Sequence, residues 1–269
     1  MSGVGAAPIG VFDSGVGGLT VLRAIHEQLP GESTVYLGDT ARVPYGPKSP
    51  DTIRRYANEA AEFLLDRGVK VLVIACNTAT AHASRRLSDR LDIPVIGVVR
   101  PGASEAVRVT RNGRIGVIGT RGTIDSGTYE RAIRRVLPEA KVRSQACPLF
   151  VALAEEGWVS GDVAELTART YLEGLLREGV DTLVLGCTHY PLLRGMLEDV
   201  AGPAITLVDS AEATARHTAN VLDREGLRDE RAAVSRQYFV TDDAERFEQL
   251  AEGFLGARVD GIEVVELGG

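Results

Sequence analysis

The sequence predicts an α/β protein of two pseudo-symmetric lobes, each a mostly parallel sheet flanked by helices, with a cleft between them. Three observations carry this expectation. The apolar stretch Val71-Leu-Val-Ile-Ala-Cys-Asn-Thr78 returns in altered form 111 positions later as Thr182-Leu-Val-Leu-Gly-Cys-Thr-His189. Both runs are too short and too β-branched for a helix, and both follow Gly-Val (Gly68-Val69, Gly179-Val180), so they read as buried parallel strands. A second phrase, Ile9-Gly-Val, recurs 106 positions on inside Arg114-Ile-Gly-Val-Ile-Gly-Thr120, behind the turn signal Asn112-Gly113. Throughout the chain, apolar strands alternate with helical patterns, the grammar of parallel sheets covered on both faces.

Taken in order, Ile9 to Phe12 is a strand. The glycine-rich turn Asp13 to Gly18 feeds a helix with Leu19, Leu22, Ile25 and Leu29 on one stripe, closed by Pro30-Gly31. Thr34 to Asp39 is a second strand, followed by a loop from Thr40 to Lys48. Ser49-Pro50 supplies an N-cap and a first-turn proline for a helix that runs through Ile53, Tyr56, Ala60 and Leu64 and stops at Gly68. After the Cys76 strand come a helix from about Thr78 to Leu91, a strand from Ile93 to Val99, and a helix containing Pro101. The second unit repeats the pattern: a helix after Thr123, a strand Lys141 to Cys147, helices at Leu149 to Glu156 and Asp162 to Leu176, the Cys187 strand, and a closing strand Ile205 to Asp209. The remainder offers a helix from Ala211, a charged connection from Arg224 to Arg231, and strands around Gln237 to Val240 and Ile262 to Val265. That is too little for a third domain and is expected to return to the first. The expected lobes are therefore residues 1–99 plus 210–269, carrying Cys76, and residues 100–209, carrying Cys187.

Composition narrows the functional classes. With 269 residues, 44% hydrophobic and 25% charged, the chain can bury a core in each lobe. Its net charge is −7 and no block of five or six Lys/Arg occurs, so a nucleic-acid or anionic-membrane surface is not indicated. Three cysteines, Cys76, Cys147 and Cys187, are too few and odd in number for a disulfide framework. There is no basic residue before Arg23 and no apolar run of membrane-spanning length. The expectation is a cytoplasmic protein with free thiols.

In open α/β sheets, ligands bind beyond the carboxyl ends of strands. The residues that land there are Asp13-Ser14, Asp39, Cys76-Asn77-Thr78, Thr120, Cys147 and Cys187-Thr188-His189. The set is rich in acid/base groups and hydroxyls and poor in Lys and Arg, which suits a small polar metabolite better than a polyphosphate. Gly15-Val-Gly17 lacks the third glycine of the dinucleotide fingerprint, since position 20 is Thr20, and no Gly-Lys-Ser/Thr follows for a phosphate loop. Zinc is weakly supported, because Cys187 and His189 are one close pair without partner ligands. Asp13 and Ser14 also read as helix N-caps, a role compatible with chemistry. Cys147, before Pro148, reads as a small buried hydrophobe. His26, His82 and His217 read as surface or packing histidines on helices. Cys76 and Cys187 each end a strand, precede polar residues and are expected at helix N-termini, where the dipole lowers a thiol pKa.

Asp13-Ser-Gly-Val-Gly-Gly-Leu19, Gly38-Asp-Thr-Ala-Arg-Val-Pro-Tyr-Gly46, Ala75-Cys-Asn-Thr-Ala79 and Gly186-Cys-Thr-His-Tyr-Pro191 resemble the signature blocks of bacterial glutamate racemase, in the aspartate/glutamate racemase superfamily. Gly119 to Ile124 and Cys147 to Gly157 resemble further segments of that family, so the likeness extends from about residue 8 to 266. Ala152 stands where the family pattern has proline, and Arg100 before Pro101 also departs from it.

The resemblance implies a cofactor-independent racemase acting on glutamate, with D-glutamate destined for peptidoglycan. It implies that Cys76 and Cys187 form the acid/base pair, Asp13 assisting Cys76 and His189 assisting Cys187. Ser14, Asn77, Thr78, Thr123 and Thr188, with Tyr45-Gly46, are similar to the family's substrate cradle, to which Asp13 and His189 also contribute. Asp39 and Glu155 are open between tuning the site and structural roles. No metal is implied. Homodimer formation and the binding of DNA gyrase reported for some members are left undecided. Racemisation of aspartate or a hydantoin, arylmalonate decarboxylation and a non-catalytic two-lobed metabolite-binding protein are the alternatives. The presence of two thiols disfavours the decarboxylase, which needs one, and the strand-end thiols disfavour the binding protein.

Overall fold

The computed structural model describes residues 7–229 and 234–268. The first six residues, on which the reading of the amino terminus rests, lie outside the described residues, as do Glu230 and Arg231 of the charged connection. The first half runs β1 (Ile9–Asp13), α1 (Leu19–Gln28), β2 (Thr34–Gly38), α2 (Pro50–Leu65), β3 (Val71–Ile74), α3 (Asn77–Arg90), β4 (Val95–Gly97) and α4 (Val99–Val109). The second runs β5 (Arg114–Gly119), α5 (Arg121–Asp125), α6 (Thr128–Val136), β6 (Lys141–Ala146), α7 (Leu149–Glu155), α8 (Asp162–Arg177), β7 (Thr182–Gly186), α9 (Arg194–Ala201) and β8 (Thr206–Asp209). The chain ends with α10 (Ala211–Arg224), β9 (Arg236–Val240), α11 (Ala244–Leu255) and β10 (Ile262–Val264).

All strand pairs are parallel. One sheet has the order β10-β9-β2-β1-β3-β4, the other β6-β5-β7-β8. Removing β9 and β10 leaves the same order in both, so β3 and β7, the strands that end on Cys76 and Cys187, occupy equivalent positions. The repeated Gly-Val has a physical cause: Gly68 (φ 68°) and Gly179 (φ 70°) adopt the left-handed conformation that lets the chain turn from a helix into the strand. Val71 to Ile74 and Leu183 to Leu185 are almost fully buried, as strands covered on both faces must be.

Local chemistry sets the helix limits. Ser49 Oγ accepts from Thr52 N (3.3 Å) at the start of α2, with Pro50 in the first turn. The strand expected from Ile93 to Val99 is shorter, only Val95–Gly97, and Val99 is already helical. Pro94 has no N–H for the ladder, and Pro101 sits in the first turn of α4, where a missing N–H costs nothing. α11 was not anticipated, although Phe247, Ala251 and Phe254 recur at helical spacing and are buried. Its N-cap is Asp243, whose side chain accepts from Arg246 N (3.0 Å). α10 packs Ala215, Ala219 and Leu222 into the same core as Leu19, Leu22 and Ile25 of α1. No helix among the described residues is long and apolar enough to cross a membrane.

Candidate active site

Cys76 leaves β3 directly into α3 and serves as that helix's N-cap, its Sγ accepting from Ala79 N at 3.4 Å. The thiol donates toward Ser14 Oγ at 3.7 Å. Ser14 and Asp13 stand at the end of the neighbouring strand β1, one strand over in the parallel register. Asp13 is wholly buried: Oδ2 accepts from Gly15 N (2.9 Å), and Oδ1 accepts from Thr188 Oγ1 (3.4 Å), a residue of the other half. Behind it, Tyr36 Oη donates to Gly15 O (2.7 Å) and holds the glycine-rich turn.

Cys187 leaves β7 in the equivalent way, but a short 3-10 turn, Tyr190–Leu193, follows in place of an α-helix start. The expected helix dipole is thus present at Cys76 alone. His189, two residues on, points Nδ1 at Cys187 Sγ (3.8 Å) and Nε2 at Glu155 Oε1 (2.9 Å). Phe254 of α11 packs edge-on against the imidazole, centroids 5.3 Å apart. Arg246, also on α11, donates to Glu156 Oε1 (3.0 Å) and to the Glu155 carbonyl (3.3 Å). α11, whose Phe247, Ala251 and Phe254 belong to the core around the first sheet, thus braces Glu155 and His189 of the second half.

Both thiols line one small cavity of about 20 Å³, together with Ser14, Tyr45, Gly46, Asn77, Thr78, Thr188 and His189, which is room for about one water. Val43, Pro44, Thr120 and Val151 complete the lining; the chemistry of the residues singled out Thr120 as a strand end but passed over the three apolar ones. Asp13 and Thr123 sit behind the lining. Thr123 Oγ1 lies 3.1 Å from both Thr78 Oγ1 and Thr120 Oγ1, while Thr78 and Thr120 are 2.8 Å apart, a hydroxyl triangle joining the two sheets. Gly122 N donates to Gly46 O (3.0 Å) along the same seam. Asp39 is committed to structure: Arg42 Nε (2.9 and 2.8 Å), Thr241 Oγ1 (3.0 Å) and Tyr45 Oη all donate to it, and it thereby fixes the Tyr45-Gly46 loop. A larger groove of about 420 Å³ lies elsewhere, between Arg114, Arg134, Lys141 and Arg143, but it contains no thiol or imidazole.

Residues 9–218 match the family model described as Asp/Glu/Hydantoin racemase. The chain is 55% identical over 260 residues to the glutamate racemase of Geobacter metallireducens, covering 96% of each sequence. This chain belongs to the glutamate racemases. Among solved structures it is similar to an isoform of the glutamate racemase of Bacillus anthracis, at 42% identity, 97% coverage of both chains and a TM-score of 0.93. It is also similar to the enzyme of Francisella tularensis crystallised with D-glutamate, at 36% identity, a TM-score of 0.92 and coverage of 97% and 98%. The protein is accordingly an isomerase, an amino-acid racemase.

The electrostatics around the two thiols are asymmetric. Burial, reinforced by the neighbouring Asp13 carboxylate, pushes the Cys76 thiol up to about 12, overriding the lowering expected from the helix N-terminus. Burial likewise raises Asp13, against the opposing pull of His189 and the Gly15 hydrogen bond. For His189, burial acts downward, but the hydrogen bonds and charges of Cys187 and Glu155 win and lift it to about 10. The Glu155 carboxyl, although burial works against it, is held low by His189 and Arg246. At neutral pH His189 is therefore an imidazolium whose two N–H groups donate to Cys187 Sγ and Glu155.

Gly17 shows how tightly the two arms meet. A Cβ there would stand 2.4 Å from Thr188 Oγ1 and 2.6 Å from His189 Nδ1. Gly17→Ala is expected to push both aside, destabilising the fold by about 1–3 kcal/mol and lowering kcat. Thermal unfolding together with racemisation kinetics checks this.

Proposed function

We propose that the enzyme interconverts L- and D-glutamate without a cofactor, Cys76 and Cys187 acting on opposite faces of Cα. The reading rests on one observation, the two thiols from equivalent strand ends lining one cavity, each with its own hydrogen-bonding assistants. In one direction a thiolate at Cys187 takes the α-proton, the electron pair stays on Cα and spreads into the α-carboxylate, and the Cys76 thiol delivers its proton to the opposite face. The reverse direction exchanges the roles. The protonated Cys76, kept so by burial and Asp13, is suited to be the acid, while His189 stands in hydrogen-bond contact with the Cys187 sulfur. Turnover leaves the two sulfurs with exchanged protonation states, and we assign Asp13, whose charge acts on Cys76, and His189, in contact with Cys187, to reset them.

A carbanion-like state needs preorganised donors. Ser14, Asn77, Thr78, Thr188 and the backbone at Tyr45-Gly46 are assigned to that role, with Thr123 supporting Thr78. Among the three lysines of the chain, Lys48, Lys70 and Lys141, none lines the cavity, which supports chemistry without a Schiff base. The lobes are assigned as residues 1–99 with 210–269 and residues 100–209, a division supported by the packing of α10 on α1. Because the cavity is smaller than the substrate, entry requires these lobes to separate. A cytoplasmic place in peptidoglycan synthesis, where D-glutamate is consumed, completes the proposal and is supported by the bacterial relatives.

Incubation of the purified protein with each glutamate enantiomer in deuterium oxide, without additives, tests the reading. Both samples are expected to lose their circular dichroism and gain deuterium at Cα, with no effect of a carbonyl scavenger. Activity on aspartate but not glutamate, or inactivation by the scavenger, would overturn it.

A further inference from the structure

Tyr129 lies on α6 of the second half, 2% exposed, and its Oη donates to Asn77 Oδ1 at 2.7 Å, across the seam between the two sheets. The ring fills a slot kept open by two glycines. A Cβ on Gly102 would stand 3.2 Å from the Tyr129 oxygen, and a Cβ on Gly186 would stand 3.2 Å from its ring. Ser210, which begins the chain's return to the first sheet, borders the same slot, its Cβ 3.1 Å from where a Gly102 Cβ would stand. Asn77 itself is 2% exposed and lines the thiol cavity. Its Oδ1 is taken by Tyr129, whereas its Nδ2 is buried with no hydrogen-bond partner. A buried, unpaired amide N–H₂ is costly unless something fills it. Nothing on its own side of the seam does.

We infer that Tyr129 is a positioning residue for substrate recognition: its hydroxyl fixes the Asn77 carboxamide so that Nδ2 is presented to a substrate carboxylate. The inference deepens the proposed reading of the cleft and rests on it. An ammonium group finds no acceptor at Nδ2, whereas a carboxylate oxygen accepts from it, so the edge of Asn77 held open is a donor edge. Without the phenolic O–H the amide is free to turn over and present Oδ1 instead, which repels a carboxylate. Because Tyr129 and Ser210 belong to the second half and to the crossover, and Asn77 to the first, the carboxylate donor is set only when the two sheets are in this arrangement.

The test compares Tyr129→Phe, Asn77→Ala and the double variant, reading kcat, KM and the inhibition constant of glutarate, a dicarboxylate that lacks the ammonium group. Phe conserves the ring between Gly102 and Gly186, so the fold is retained. Tyr129→Phe is expected to raise KM for glutamate and the glutarate constant together, each roughly tenfold, with kcat changed less than about threefold. Added to Asn77→Ala, it should cost nothing further, since it acts through Asn77. Unchanged KM, a loss confined to kcat, or full additivity with Asn77→Ala overturns the inference while leaving the two-thiol reading intact. If Asn77→Ala itself leaves KM and glutarate binding unchanged, the assignment of the cleft fails as well.

Discussion

Cys76→Ser and Cys187→Ser should each lower kcat/KM for glutamate racemisation by roughly two to four orders of magnitude, the contribution of a positioned proton-transfer group. The loss must be the same in both directions, because enantiomers have equal free energies and the two kcat/KM values cannot diverge. Exchange with solvent is where the variants separate. An enzyme with one thiol can still remove the α-proton of the enantiomer that presents it to that thiol, and return a deuteron to the same face. Each single variant should therefore retain deuterium incorporation into one enantiomer without inversion, and the two variants should retain it into opposite enantiomers. Mass spectrometry of each recovered enantiomer reads this directly. Full racemisation by either variant would remove the two-thiol scheme, since serine is far too weak an acid to take over a thiol's exchange at neutral pH.

The second large effect is expected at Glu155, which touches the chemistry only through His189. Removing its charge in Glu155→Gln takes away one of the two groups that lift the imidazole, so His189 falls from about 10, with Cys187 alone opposing burial. At pH 8 the variant should lose roughly tenfold or more in kcat/KM, and the defect should shrink on acidification, as the imidazolium returns. Stability carries the opposite trend with a definite sign. A histidine whose folded pKa is raised stabilises fully below its unfolded value of 6.5, and that contribution is lost as the pH rises through about 10. The wild-type advantage over Glu155→Gln should therefore be greatest near pH 6 and gone above about pH 10. Its size is about 1 kcal/mol, because Glu155 is partly exposed and screened. Urea unfolding across this range checks it. A gap that widens with pH would exclude the ion pair as its cause.

The parts of the site that were legible in the sequence share a property: they lie at strand ends. A parallel strand that is buried on both faces is a continuous apolar run, so its carboxyl end is visible as the first polar residue. Cys76, Cys187, Asp13 and Ser14 could be listed that way, and the repeat paired the two thiols. Thr123, Tyr45 and Gly46 came only through resemblance to a family. Glu155 was in the same position, because a carboxylate 34 residues from its histidine has no local mark. Tyr129 and α11 were missed: one is an ordinary aromatic on an amphipathic helix, and the other a helix in a stretch that resembles the family least. The expected lowering of the Cys76 pKa failed for a different reason. A helix N-terminus is a local feature, while the burial and the Asp13 charge that overrule it come from a neighbouring strand.

By itself, then, the sequence determined the two-fold repetition, the parallel strands and the identity of the groups that stand at their ends, because those follow from periodicity and from glycine and proline conformation. Only the tertiary structure decided which of those groups share a cavity, which are protonated, and which way the Asn77 amide faces. Those properties depend on distance and desolvation between residues far apart in the chain, and no spacing along the sequence encodes them.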